Sequence, residues 1–152
     1  MMLDLKDKKL LILLQNDSKK TTKQLANELD LSVTAVFERI KKLEKQKIIK
    51  KYVALLNHEK IQKNFIVLCH VKLVQHKKEY ISQFEKEITQ FPEVLECFHV
   101  SGDYDYILKI CVRDIQEYRD FMVSKLTNLE HIASTQSSFM IKEVKNSTVI
   151  EP

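Results

Sequence analysis

The chain has 152 residues, room for one compact domain or two small ones. It contains a single glycine, Gly102, and two prolines, which excludes GxGxxG and GxxxxGK[ST] loops, because both need several glycines to bring backbone N–H groups against phosphate. The net charge of +4 is unevenly spread: residues 1–60 carry 14 Lys/Arg against 8 Asp/Glu, and residues 61–152 carry 11 against 13, so the basic N-terminal part points to an acidic polymer as partner.

The first sixty residues predict three short helices. Asp4 is placed to cap a helix whose core positions are Leu10, Leu11, Leu13 and Leu14, ending in Asn16-Asp17-Ser18. Thr21-x-x-Gln24 has capping-box spacing, and Leu25, Ala26 and Leu29 form the inner face of the second helix. Ser32 caps the third, in which Val33, Val36, Phe37, Ile40 and Leu43 follow the i, i+3, i+4, i+7 pattern of a core stripe. Its opposite face carries Thr34, Ala35, Glu38, Arg39, Lys41, Lys42 and Lys45. Two helices joined by a short turn, the second with a polar and basic outer face, predict a helix-turn-helix that enters a major groove. Ile48–Leu55 is β-prone with Lys50 and Lys51 near its start, as expected of a wing beside the DNA backbone.

From residue 65 the period changes. Phe65–Val74 alternates with Val67, Cys69, Val71 and Leu73 on one face, and Lys77–Gln90 is helical through Ile81, Phe84 and Ile88. Val94–Ser101, the turn Gly102-Asp103-Tyr104-Asp105 and Tyr106–Val112 form a hairpin, Asp114 caps a helix to about Leu126, and Ile132–Ile141 is a fourth strand. The order is that of a ferredoxin-like βαββαβ unit. A last stretch, Glu143–Ile150, is expected to add an edge strand or to pack on a neighbouring subunit. The fold class is therefore α+β, with a winged helix-turn-helix over residues 1–52, a β linker over 53–64 and a ferredoxin-like domain over 65–152.

The three cysteines are widely spaced in apolar surroundings and show no zinc spacing, so buried thiols are expected, and neither a disulfide framework nor a metal site. The absence of an apolar run of roughly 18–20 residues and of a cationic signal-peptide start predicts a soluble, cytoplasmic (nucleoid-associated) protein with no membrane partner.

In order and spacing the chain resembles the Lrp/AsnC family of transcriptional regulators. The carriers are Leu3-Asp4…Asp7, Gln24-Leu25-Ala26, Leu31-Ser32, Arg39-Ile40-Lys41-Lys42-Leu43-Glu44, Ile48-Ile49 and Tyr52-x-Ala54-x-Leu56. In the second half they are Val100-Ser101-Gly102-Asp103-Tyr104-Asp105-Tyr106, Thr135-x-Ser137 and Glu143-Val144-Lys145. The resemblance implies a winged DNA-binding domain joined to an effector-binding oligomerisation domain that senses amino acids. It also implies homodimers assembling to octamers or tetramers. The chain departs from the family where Ser18 and Lys47 replace common glycines, the left-handed residues that end helices, and where Lys19 replaces a common arginine.

The candidate DNA-binding residues are Thr21, Thr22, Ser32, Thr34, Ala35, Glu38 and Arg39 near base edges or the sugar–phosphate chain. Lys42, Lys45, Lys50 and Lys51 are the candidate phosphate ligands. Against contact stands a solvated helix face, and for Arg39 a salt bridge to Glu38 or Glu44. The candidate effector residues are Gly102, Asp103, Tyr104, Asp105, Thr135 and Ser137. Gly102 permits close backbone approach, Asp105 offers an acceptor to an ammonium group, and Thr135 and Ser137 offer hydroxyls. The alternative is an ordinary Asp/Gly hairpin turn. No cofactor, metal or catalytic group is expected. The function predicted is a sequence-specific, amino-acid-responsive transcriptional regulator bound to a double-stranded operator. Two other readings stand beside it: a ligand-insensitive protein that wraps DNA, and an enzyme resembling the sirohaem decarboxylases.

Overall fold

The computed structural model describes residues 3–152. Three helices come first, α1 (Leu5–Asn16), α2 (Thr22–Leu29) and α3 (Val33–Lys45). Each starts where a side chain caps the free N–H groups of its first turn. Asp4 accepts from the Asp7 N–H, Thr21 and Gln24 form a complete capping box, and Ser32 accepts from the Ala35 N–H. Leu10, Leu14, Leu25, Leu29, Val36 and Leu43 close a small core between them.

Helix α3 ends in a Schellman motif, with the Ile48 N–H donating to Leu43 O at 3.0 Å and the Lys47 N–H to Glu44 O at 2.9 Å. Lys47 takes the left-handed position, φ 58°, so a lysine stands where glycine costs least. The other expected glycine-like site differs, because Ser18 has no positive φ among the described residues. α1 ends in extended backbone at Asp17, φ −152°, whereas α2 ends on a left-handed residue, Asp30, at φ 53°.

Two elements expected as β are not strands. Residues 50–57 are irregular and residues 58–62 form turns, so neither the wing nor the 53–64 linker is part of a sheet. A β-prone sequence becomes a strand only beside a partner whose groups complete its ladder, and no described strand pairs with this segment.

The second half folds as β1 (Phe65–Leu73), α4 (Lys78–Ile88), β2 (Val94–His99), β3 (Tyr106–Val112), α5 (Ile115–Ser124) and β4 (Ile132–Phe139), with a short 3₁₀ turn at Leu126–Asn128. The sheet order is β2-β3-β1-β4 and every pairing is antiparallel, the topology expected of a βαββαβ unit. Val67, Cys69, Val71, Leu108 and Ile110 face Phe84, Ile88 and Phe121 in its core. On the other face Leu68 and Phe98 are exposed.

Contacts divide the chain into one unit of residues 1–55 with 144–152 and a second of 56–143. The C-terminal stretch, expected to extend the second domain, is no edge strand and belongs to the first unit. Its anchor is Gln15, whose amide donates to Ile150 O at 2.9 Å and accepts from the Ile150 N–H at 2.8 Å. One side-chain amide thus satisfies both backbone groups of a residue, as a ladder partner would. All three cysteines are free thiols: Cys69 and Cys111 are buried and Cys97 is half-buried.

Candidate nucleic-acid interface and effector turn

The face that α3 turns to solvent differs from the one its sequence predicts. Val36, Ile40 and Leu43 form the seam toward α1 and α2, and Val36 and Leu43 are fully buried. Val33 and Phe37, expected in that stripe, are 49% and 48% exposed. A seam spaced four and three residues apart occupies one side of a helix. Phe37, one position beyond Val36, is turned about 100° away from it. The solvent face presents Thr34, Phe37, Glu38, Lys41 and Lys45, all exposed.

Arg39 is not on that face. Its Nη1 donates to Asp4 Oδ2 at 2.6 Å and to Asp7 Oδ1 at 2.5 Å, and Asp7 is 1% exposed. The salt-bridge alternative therefore describes Arg39, with Asp4 and Asp7 as partners in place of Glu38 or Glu44. The Asp7 N–H and the Arg39 guanidinium hold the Asp4 carboxyl below its ordinary range. Lys42 lies 3.9 Å from Asp7 Oδ2 and is itself half exposed.

The remaining candidates divide by what their side chains already do. The hydroxyls of Thr21 and Ser32 cap α2 and α3. Thr22 and Ala35 are half-buried, whereas Lys45, Lys50 and Lys51 are exposed. Lys6 and Lys9 donate to the C-terminal carbonyls of α2 at Leu29 and Glu28, which removes two cations from the pool the charge count suggested. Sequence reasoning missed Phe37 as a surface residue and left Lys41 out of the contact set. Their signal was positional, since Thr34, Glu38, Lys41 and Lys45 recur at spacings of three and four.

In the second unit, Gly102 has φ 137°, a conformation that L side chains rarely adopt. Nothing lies within 4 Å of where a Cβ would sit, so backbone geometry and not crowding demands glycine. Gly102 and Asp103 are exposed.

Asp105 is a clamp. Its Oδ2 accepts from the Leu73 N–H at 2.7 Å, its Oδ1 meets His76 Nε2 at 2.7 Å, and its own N–H donates to Val71 O at 2.9 Å. Burial opposes the charge, yet the Leu73 N–H and His76 hold this carboxyl below its ordinary value. Both oxygens thus hold the turn, one to β1 and one to His76.

Thr135 and Ser137 pair with Val71 and Cys69 across β1, and opposed residues share a sheet face. They therefore lie on the helix-covered side, where Ser137 Oγ is 2.5 Å from the Tyr118 hydroxyl. The residue that meets the turn is Gln136, whose Oε1 accepts from the Tyr104 hydroxyl at 2.7 Å. Strand alternation in Thr135-Gln136-Ser137 carries this information once the covered face is known.

Known proteins resemble the chain over nearly its whole length. A model described as winged helix-turn-helix DNA-binding matches residues 3–50, and one described as the Lrp/AsnC ligand binding domain matches residues 66–150. A leucine-responsive regulatory protein of Haemophilus influenzae is 36% identical, over 97% of this chain and 89% of its own. The Bkd operon transcriptional regulator of Pseudomonas aeruginosa is 33% identical over 93% of both. Among solved structures, a transcriptional regulator of Neisseria meningitidis in complex with L-Met superposes with a TM-score of 0.94 at 30% identity, covering 98% of this chain and 96% of that one. With these relatives, the two matched domains and the α+β architecture in agreement, the chain belongs to the Lrp/AsnC family of DNA-binding transcriptional regulators.

Proposed function

We propose that the protein is a homo-oligomeric regulator whose operator binding or assembly responds to a free amino acid bound beside the Gly102–Asp105 turn. The observation that carries this reading is the exposed backbone of Gly102-Asp103, held at a left-handed glycine next to the Tyr104–Gln136 pair. Exposed peptide groups suit an α-carboxylate or ammonium, and Gln136 and Tyr104 supply further donors and acceptors. Asp105 acts here by fixing the turn. The L-Met complex of the Neisseria relative supports an amino acid as the ligand class.

Dimers, assembled further to tetramers or octamers, would place two α3 helices in successive major grooves of a partly palindromic operator, about one helical turn apart. The exposed sheet face bearing Leu68 and Phe98 suits a contact between copies. A coupling of about 1–3 kcal/mol between effector and assembly suffices for a switch. No described helix is long and apolar enough to cross a membrane, and the cytoplasm, at the nucleoid, is the compartment this function requires.

The test is an amino-acid panel in a thermal-shift assay, repeated with duplexes selected from a random pool. A ligand present at 100 times its Kd stabilises by about 2.7 kcal/mol, a shift of several degrees. Gly102→Trp should abolish that shift and keep DNA binding. No shift with any amino acid would favour the ligand-insensitive, DNA-wrapping alternative.

A further inference from the structure

We infer that Phe37 reads thymine, by packing its ring on the C5-methyl group in the major groove. This rests on α3 being the helix that enters DNA. Phe37 is half exposed on that helix and contributes to neither core cluster. Its neighbour one turn back, Val33, is equally exposed, and the Lys41 ammonium lies 5.7 Å from the ring centroid, on the next turn forward.

Phe37 and Val33 together form a small apolar spot on one helix face with the Lys41 ammonium over the ring, and these surroundings suit one kind of occupant. The same face carries Lys41 and Lys45, so what covers Phe37 is anionic as well as apolar at one point. Of the four bases only thymine presents a methyl group in the major groove, and apolar side chains are its natural partners. The alternative reader of this helix, Arg39, is withdrawn into its pair with Asp4 and Asp7. On the exposed face this leaves an apolar contact at Phe37 with Val33 beside it, one acceptor at Glu38 suited to a cytosine amino group, and lysines for phosphate.

The experiment uses the full chain and duplexes enriched from a random pool. Thymines are expected at fixed positions in each half-site. Replacing a contacted thymine by deoxyuridine removes only the methyl group, and should weaken wild-type binding about four-fold per methyl. Phe37→Ala should bind the thymine and deoxyuridine duplexes equally, with its salt dependence unchanged. Phe37→Leu, which keeps an apolar surface, should retain part of the discrimination. Unaltered melting temperatures establish that both variants fold.

Equal sensitivity to deoxyuridine in wild type and Phe37→Ala overturns the assignment, as does indifference of the wild type to the substitution. A smaller assembly for Phe37→Ala, with unchanged base preference, would place the ring in a contact between copies and also overturn it. Should the wild type enrich no duplex at all, the DNA reading of α3 itself fails, an outcome distinct from an enriched motif that ignores the methyl group.

Discussion

Asp7 of α1 and Arg39 of α3, 32 residues apart in sequence, meet at 2.5 Å with the carboxylate 1% exposed. This pair ties α3 to α1 alongside the small apolar core that the two helices share with α2. Removing Arg39 would leave a buried carboxylate with Lys42, at 3.9 Å, as its nearest cation among the described residues. Breaking a buried pair on one side costs several kcal/mol, and the partial exposure of Arg39 brings Arg39→Ala to about 2–4 kcal/mol. Thermal denaturation should show this as a large fall in melting temperature, and weakened DNA binding should follow it uniformly across sequences. Replacing both partners by apolar residues, Asp7→Leu with Arg39→Met, should recover most of the loss. Arg39→Ala with wild-type stability but altered base preference would return Arg39 to the interface.

Lys47 holds a left-handed conformation at the end of α3. That conformation costs a non-glycine residue about 1–2 kcal/mol, offset in part because glycine enlarges the entropy of the unfolded chain. Lys47→Gly should therefore stabilise the N-terminal unit by about 0.5–1 kcal/mol, a rise of a few degrees by calorimetry. An unchanged or lower melting temperature would argue against strain at this residue.

Glu117 sets an acid limit on the second unit. Lys63 at 2.8 Å and the Arg113 N–H at 2.6 Å bond its two oxygens, and together they lower its carboxyl from 4.5 to about 2. The folded state prefers the ionised form, so its contribution is fully present above pH 4.5 and is lost as pH falls toward 2. Glu117→Gln should lower the melting temperature at neutral pH, and the difference from wild type should vanish at the acid end. A difference that stays constant from pH 7 to 2 would assign the effect to packing.

Gly102 gives the complementary backbone case. Its φ of 137° is strained for any side chain, while the space about it is open. Gly102→Ala should destabilise the second unit by about 1–3 kcal/mol, and a larger residue should cost little more, because nothing is there to clash. Chemical denaturation of Gly102→Ala and Gly102→Ser checks this. A steep rise in cost with side-chain volume would show the turn to be crowded.

Features that depend on short-range physics were legible in the sequence. Asp4, Thr21, Ser32 and Asp114 cap helices because a side-chain oxygen three residues from an unpaired N–H needs no information beyond its own turn. The alternation of Val67, Cys69, Val71 and Leu73 fixed which face of β1 is buried for a similar reason, since a strand repeats every two residues. From such elements the βαββαβ order was legible, and with it the family.

The commitment of side chains with several available partners emerges only once distant segments pack together. Arg39 could reach DNA, Glu38 or Glu44 on a helical wheel, and only the approach of α1 places two carboxylates at its fork. Asp105 offers an acceptor in the sequence, and only the fold brings the Leu73 N–H of β1 against it. The β-prone segment from Ile48 lacks a described ladder partner and so forms no strand, while Gln15 captures Ile150 from 135 residues away. Periodicity says which residues share a face. Which face finds a neighbour, and which charge finds its partner there, depends on packing between segments distant in sequence. That packing commits Arg39 to Asp4 and Asp7 and leaves Phe37 exposed on α3.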